Sequence, residues 1–126
     1  MKRRWTIHLA AAAERDFQEI LRWTVANFGP RQTKTYSRTL SSALHDLALG
    51  PAIPGARLRE DIAPGIHTLH VARKGRKGRH FAVFRVAASK SSDVIDVLRL
   101  LHDSMDLPRH VVAANINATG RSKRIL

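Results

Sequence analysis

The 126-residue chain has no cysteine, which excludes a disulfide framework and any thiolate metal site. Acidic residues are scarce: 10 Asp and Glu stand against 22 Lys and Arg, a formal charge of +12 at pH 7. Aromatic residues make up 6%, so any core is built mainly from aliphatic side chains. No apolar run reaches the roughly 20 residues that a membrane-spanning helix needs. Met1-Lys2-Arg3-Arg4-Trp5 is basic, but the alanine-rich run from Ile7 to Ala13 is short and meets Glu14 and Asp16. That is a poor secretory signal, and a cytoplasmic location is expected.

What is present suits one globular domain. A hydrophobic share of 44% and a charged share of 25% lie in the folded range. The length allows one sizeable core. A strongly basic chain repels itself and seeks an anionic partner. Nucleic acid, an acidic protein segment and a membrane surface all satisfy that demand, and charge alone does not choose among them.

The periodicities give an order of elements. Trp5-Thr6-Ile7-His8-Leu9 alternates and predicts a short strand. The alanines from Ala10 to Ala13 favour a helix, and Phe17, Ile20, Leu21, Val25 and Phe28 continue it as one apolar stripe that includes Thr24. Trp23 lies off the stripe and is expected to cover the flank of a neighbouring helix. Gly29-Pro30 ends this helix and opens another. Tyr36, Leu40, Ala43, Leu44, Leu47 and Ala48 repeat the stripe until Gly50-Pro51, and so short a link implies an antiparallel helical hairpin. Ala52 to Gly65 has no usable periodicity. Three strands follow, at Gly65–Ala72, His80–Ala87 and Val94–Leu101, the first two joined by the basic loop Arg73-Lys74-Gly75-Arg76-Lys77-Gly78-Arg79. Phe81 and Val83 point to one face of the second strand, and Ala82, Phe84 and Val86 to the other. Both faces therefore need cover. The helices supply one side, and a dimer surface or a partner is expected on the other. Residues 111–126 are expected to be a flexible or partner-bound tail, outside a domain of residues 1–110.

This α+β order, with its small, mainly antiparallel sheet, meets specific residues. They are Ala13-x-x-Asp16-Phe17-x-x-Ile20 with Trp23 and Phe28-Gly29, then Tyr36 and Leu44 with Leu47-Ala48-x-Gly50-Pro51. His80-Phe81-Ala82-Val83-Phe84-Arg85-Val86 follows, and last Val97-Leu98-Arg99-Leu100-Leu101-His102-x-x-Met105-Asp106 with His110. The ordered set resembles the ParE branch of the RelE/ParE toxins of bacterial type II toxin–antitoxin systems. The resemblance implies a toxin that inhibits growth by binding DNA gyrase and is neutralised by a small, acidic, partly disordered antitoxin. Contact with operator DNA is then expected only through the antitoxin complex. Such an antitoxin suits both the positive charge and the second apolar sheet face.

RelE-type relatives cleave messenger RNA on the ribosome, chemistry that needs a base, an acid and cations near the phosphate. Arg85, Arg99 and His102 are the candidate catalytic residues for that alternative, with Lys77 and Arg79 adjoining. Against it, Phe81 stands where nuclease relatives tend to have a basic residue, and Phe84 replaces the central-strand tyrosine of many of them. A non-toxic basic DNA-binding module is the remaining alternative. His102, Asp106 and His110 have helical metal-ligand spacing, but Pro108 interrupts any helix there. No metal and no cofactor are expected. The residues expected to meet a partner are Arg73, Lys74, Arg76, Lys77 and Arg79 in the loop, Phe81 and Val83 on the sheet, and Arg99. Arg99, inside an apolar strand, needs a carboxylate, for which Asp103 or Asp106 is the expected source. Met105 is expected to pack back on the domain.

Overall fold

The computed structural model describes residues 4–88, 93–109 and 122–124. Strand β1 (Thr6–Ala10) runs directly into the helical span α1 (Ala11–Asp46). Ala13 is fully buried against the sheet, where its small side chain lets the helix approach closely. Within α1, Gly29 has φ 85° and ψ 173°, and Pro30 follows it. Nothing lies within 4 Å of where a Gly29 Cβ would sit, so glycine is required there by its backbone conformation and not by space. A straight helix would hold Phe17 and Leu44 about 40 Å apart. Both line one groove, so α1 folds back on itself at this break. The boundary between two helices expected at Gly29-Pro30 is thus where the two halves of this span meet. A 3-10 turn (Leu47–Leu49) and Gly50, at φ 119°, close it.

The sheet comprises β2 (Arg57–Leu58), β3 (Ile66–His70), β4 (His80–Ala88), β5 (Asp93–His102) and β6 (Ser122–Arg124) with β1, in the order β2-β3-β4-β5-β1-β6. β1 pairs parallel with β5, and the other pairings are antiparallel. β2 lies in the stretch that showed no periodicity; two residues are too few for alternation to register. Ser122–Arg124 of the expected tail adds a strand to the edge of β1. The expectation for the rest of residues 111–126 falls outside the described residues.

A β-bulge separates Val83, opposite Arg99, from Phe84, opposite Val97, and leaves Leu98 as the extra residue. Its effect is to serve two cores from one strand. Ile95, Val97 and Leu100 join Ile7, Leu40, Leu44, Leu69 and Phe84 beneath α1. Leu98 and Leu101 instead join Ile62, Ala63, Ile66, Val83 and Leu107, with Phe81 packed against them. The second sheet face, expected to await a dimer or a partner, is therefore closed by the chain itself. The closing segment is held by backbone bonds from Arg59 N to Ile66 O at 2.7 Å and from Ile62 N to Arg59 O at 3.0 Å. Two smaller expectations also change: Trp23 is 60% exposed, and Met105 is 41% exposed.

Candidate functional site

Where β3 and β5 end and β4 begins, the strand register gathers polar side chains that lie far apart in sequence. His80 pairs with His102 across β4 and β5, and His70 pairs with Phe81 across β3 and β4. Tyr36, from the second half of α1, reaches over them. Its hydroxyl lies 2.6 Å from His80 Nδ1 and accepts the Arg79 amide at 3.0 Å. With the phenol O–H donating to Nδ1, each group has one partner and the His80 proton resides on Nε2. Gly78 makes this approach possible: a Cβ there would sit 2.6 Å from Val71 Cγ2 and 3.1 Å from the Tyr36 hydroxyl.

Asp103 organises the other half of the cluster. It accepts Arg79 Nε at 3.0 and 3.1 Å and lies 3.0 Å from His70 Nε2. His70 Nδ1 accepts the Ala72 amide at 3.0 Å, so Nε2 bears the proton and donates to Asp103. His102 Nδ1 accepts the Ser104 amide at 3.1 Å and lies 2.7 Å from the Ser104 hydroxyl. The electrostatics follow from these contacts. Arg79 first, then His70, hold the Asp103 carboxyl down to about 2. Burial, then the neighbouring His102, push His80 down to about 4. Burial raises the Tyr36 phenol, opposed by the Arg79 amide bond. In all three histidines Nδ1 is already an acceptor. The remaining ring nitrogens are donors, so the acceptor atom of each imidazole is already spent on a bond within the chain.

The candidate catalytic residues do not converge on one open point. Arg85 lies 3.8 Å from Asp96 and about 17 Å along β4 from His80. Arg99 donates to Asp16 on α1 through Nε at 2.7 Å and Nη2 at 3.0 Å, and the Leu100 amide donates to the same carboxylate at 2.9 Å. Asp16, not Asp103 or Asp106, is thus the partner that Arg99 needed. The Asp16 bonds raise the Arg99 pKa above its ordinary value, and this fork ties α1 to β5. His102 alone of the three is near the polar cluster, beside His80 with ring centroids 5.3 Å apart. Asp106 follows the turn beyond β5, and His110 lies outside the described residues.

The expected partner-binding cations divide into two groups. Arg73 bonds Asp46 at 3.1 Å and the Pro54 carbonyl at 2.7 Å, Lys74 bonds Asp46 at 3.3 Å, and Arg79 bonds Asp103. Arg76 and Lys77 are exposed, and among the described residues no ion pair engages them. The loop is also more ordered than its glycines imply: Lys74 and Gly75 form a tight turn at φ 55° and 81°, and the Arg76 amide donates to Arg73 O at 3.0 Å. Of the two expected sheet contacts, Val83 is fully buried and offers no free surface, while Phe81 is partly buried against the same cluster.

Sequence reasoning missed a groove of about 810 Å³ beside this loop. Leu9, Phe17 and Leu44 contribute apolar lining, Ser41, Ser42 and His45 polar lining, and charges of both signs, Glu14 and Asp46 with Lys74 and Arg76, complete it. Its signal was the apolar stripe on both halves of α1, to which Phe17 and Leu44 belong. Among the described residues no group of His, Cys, Asp or Glu could hold a metal ion, and no helix is long and apolar enough to cross a membrane.

Compared with known families, residues 7–107 match the model of the ParE toxin of type II toxin-antitoxin system, parDE. No curated protein matches the chain.

Proposed function

As the chain belongs to the ParE toxins of type II toxin–antitoxin systems, we propose that it arrests growth by binding DNA gyrase, by contact and not by covalent chemistry. The observation that carries this reading is the state of the polar cluster. Every imidazole there has its Nδ1 occupied as an acceptor, and Arg85 and Arg99 are engaged by Asp96 and Asp16. A site for RNA cleavage wants the reverse, a free base and cations open to a phosphate. Such a cluster suits a structural seam that locks the ends of three strands to α1.

The cognate antitoxin, small, acidic and partly disordered, silences the toxin in the cytoplasm. Its seat is the groove on α1. An amphipathic segment would lay apolar side chains on Leu9, Phe17 and Leu44 and turn carboxylates towards Arg76, away from Glu14 and Asp46. Lys77, next to Arg76 in sequence, is a further exposed cation. Operator DNA is then met only within the antitoxin complex.

The decisive experiment is gyrase supercoiling with purified toxin, with and without antitoxin. Inhibition that the antitoxin reverses is expected. Supercoiling left untouched at large molar excess would end the gyrase assignment, and new cleavage ends in translated messages by primer extension would restore the ribonuclease alternative.

A further inference from the structure

The turn at the tip of α1 presents a second surface, which neither the polar cluster nor the groove uses. Trp23 and Phe28 are 60% and 61% exposed, and Val25 is 44% exposed. Large apolar side chains grouped on a surface mark an interaction site more often than chance exposure does. These are also held in place. The two rings meet edge to face with centroids 5.6 Å apart. Asn27 Nδ2 donates to Trp23 O at 2.8 Å, and Thr33 Oγ1 donates to Gly29 O at 2.9 Å across the kink. A surface already ordered in the free protein loses little freedom on docking.

Across the turn itself the charge is of one sign, with exposed Glu19 one helical turn before Trp23. From Arg22 to Lys34 the chain has Arg22, Arg31 and Lys34 and no acidic residue, and all three cations are exposed. We propose that this tip docks on the protein the toxin disables, its aromatic pair entering an apolar cleft rimmed by Asp and Glu. Tryptophan and arginine are the residue types that dominate the energetics of protein interfaces. A second copy is a poor occupant, because each copy brings a charge of +12 and the same cationic rim. Single-stranded nucleic acid would need open ring faces for stacking, and the edge-to-face pair uses one of them on its neighbour. The lining of the groove proposed for the antitoxin comes no nearer to Gly29 than Gln18 and Ser41, about 16 and 18 Å away along α1, so a segment seated there leaves the tip free. This inference rests on the reading of the chain as a toxin that acts by binding.

The test uses the full chain co-expressed with its antitoxin, as wild type, as Trp23→Ala/Phe28→Ala and as Arg22→Glu/Arg31→Glu. Antitoxin capture by each purified variant is measured beside growth arrest when the toxin is induced alone. Both variants are expected to capture antitoxin within about twofold of wild type, while the dose needed for arrest rises roughly 30-fold or more, the scale of an aromatic hot spot. Arrest at the wild-type dose by the aromatic variant overturns the docking surface, and by the charge variant it overturns the acidic rim. Loss of capture by either variant with a native circular dichroism spectrum reassigns the tip to the antitoxin. Trp23-dependent binding to anionic vesicles or to duplex DNA would overturn the protein partner. A wild-type chain that leaves growth unaffected refutes the toxin reading itself, a result separable from all of these.

Discussion

The seam at the strand ends and the tip of α1 treat their side chains in opposite ways. In the seam, Asp16, Tyr36, His70, His80 and Asp103 each meet a partner inside the chain. At the tip, Trp23 and Phe28 meet each other edge to face and remain more than half exposed. A buried polar group without a partner is costly, so the seam had to be completed internally, and once completed it has little left to offer a substrate. Exposed apolar rings carry no such obligation. The difference separates residues that make the fold from residues left for another molecule.

The largest effect is expected where the seam joins α1 to β5. Asp16→Ala leaves the Arg99 guanidinium, 21% exposed, without its carboxylate and the Leu100 amide without an acceptor. A loss of about 3 kcal/mol is expected in chemical denaturation, and Arg99→Lys with Asp16 kept should also destabilise, since an ammonium cannot form the two-pronged pair. Unchanged stability in Asp16→Ala would break the contrast at its first step.

Next comes the second core. Val83→Thr keeps shape but places a hydroxyl in the cluster of Ile62, Leu98 and Leu101. It should cost about 2 kcal/mol and leave antitoxin affinity unchanged. The reverse pattern would make Val83 a partner contact after all.

The strands, the break at Gly29-Pro30 and the stop at Gly50-Pro51 were legible because alternation, helical stripes and glycine–proline pairs are local signals. Arg99 was recognisable as a cation needing a carboxylate, but the one it uses lies 83 positions away on α1, where nothing local points to it. The nearer Asp103 was the natural expectation, and it serves Arg79 and His70 instead. The polar cluster was hidden for a related reason. His70, His80 and His102 become neighbours only when β3, β4 and β5 are set in register, and centring the β4–β5 hairpin on its loop would have set His80 opposite Leu101, because the bulge shifts the pairing by one residue. Ile62 and Ala63 sit in a segment without period, so the cover of the second sheet face was invisible, and the face was left to a partner it does not need.

A subtler test of the seam is its pH dependence. His80 titrates at about 4 in the fold, against 6.5 for an ordinary histidine. Between those values the unfolded chain binds more protons, so this contribution is full above pH 6.5 and is lost as pH falls towards 4. Denaturation midpoints should decline across that window, and His80→Gln should flatten the decline. A midpoint that holds steady from pH 7 to pH 4 would mean that His80 is not held neutral. At the tip the expected stability change is smallest: Trp23→Ala should alter folding free energy by no more than about 0.5 kcal/mol, measured by the same denaturation. A larger loss would make Trp23 part of the fold and erase the distinction between the two regions.

The claim that this toxin acts by contact is tested most directly at His102, the member of the candidate catalytic set that lies in the polar cluster and is partly exposed. Growth arrest by His102→Ala, induced to the same level as wild type and shown to be folded, should match wild type. Loss of arrest in that folded variant would contradict the account and return the cluster to catalysis.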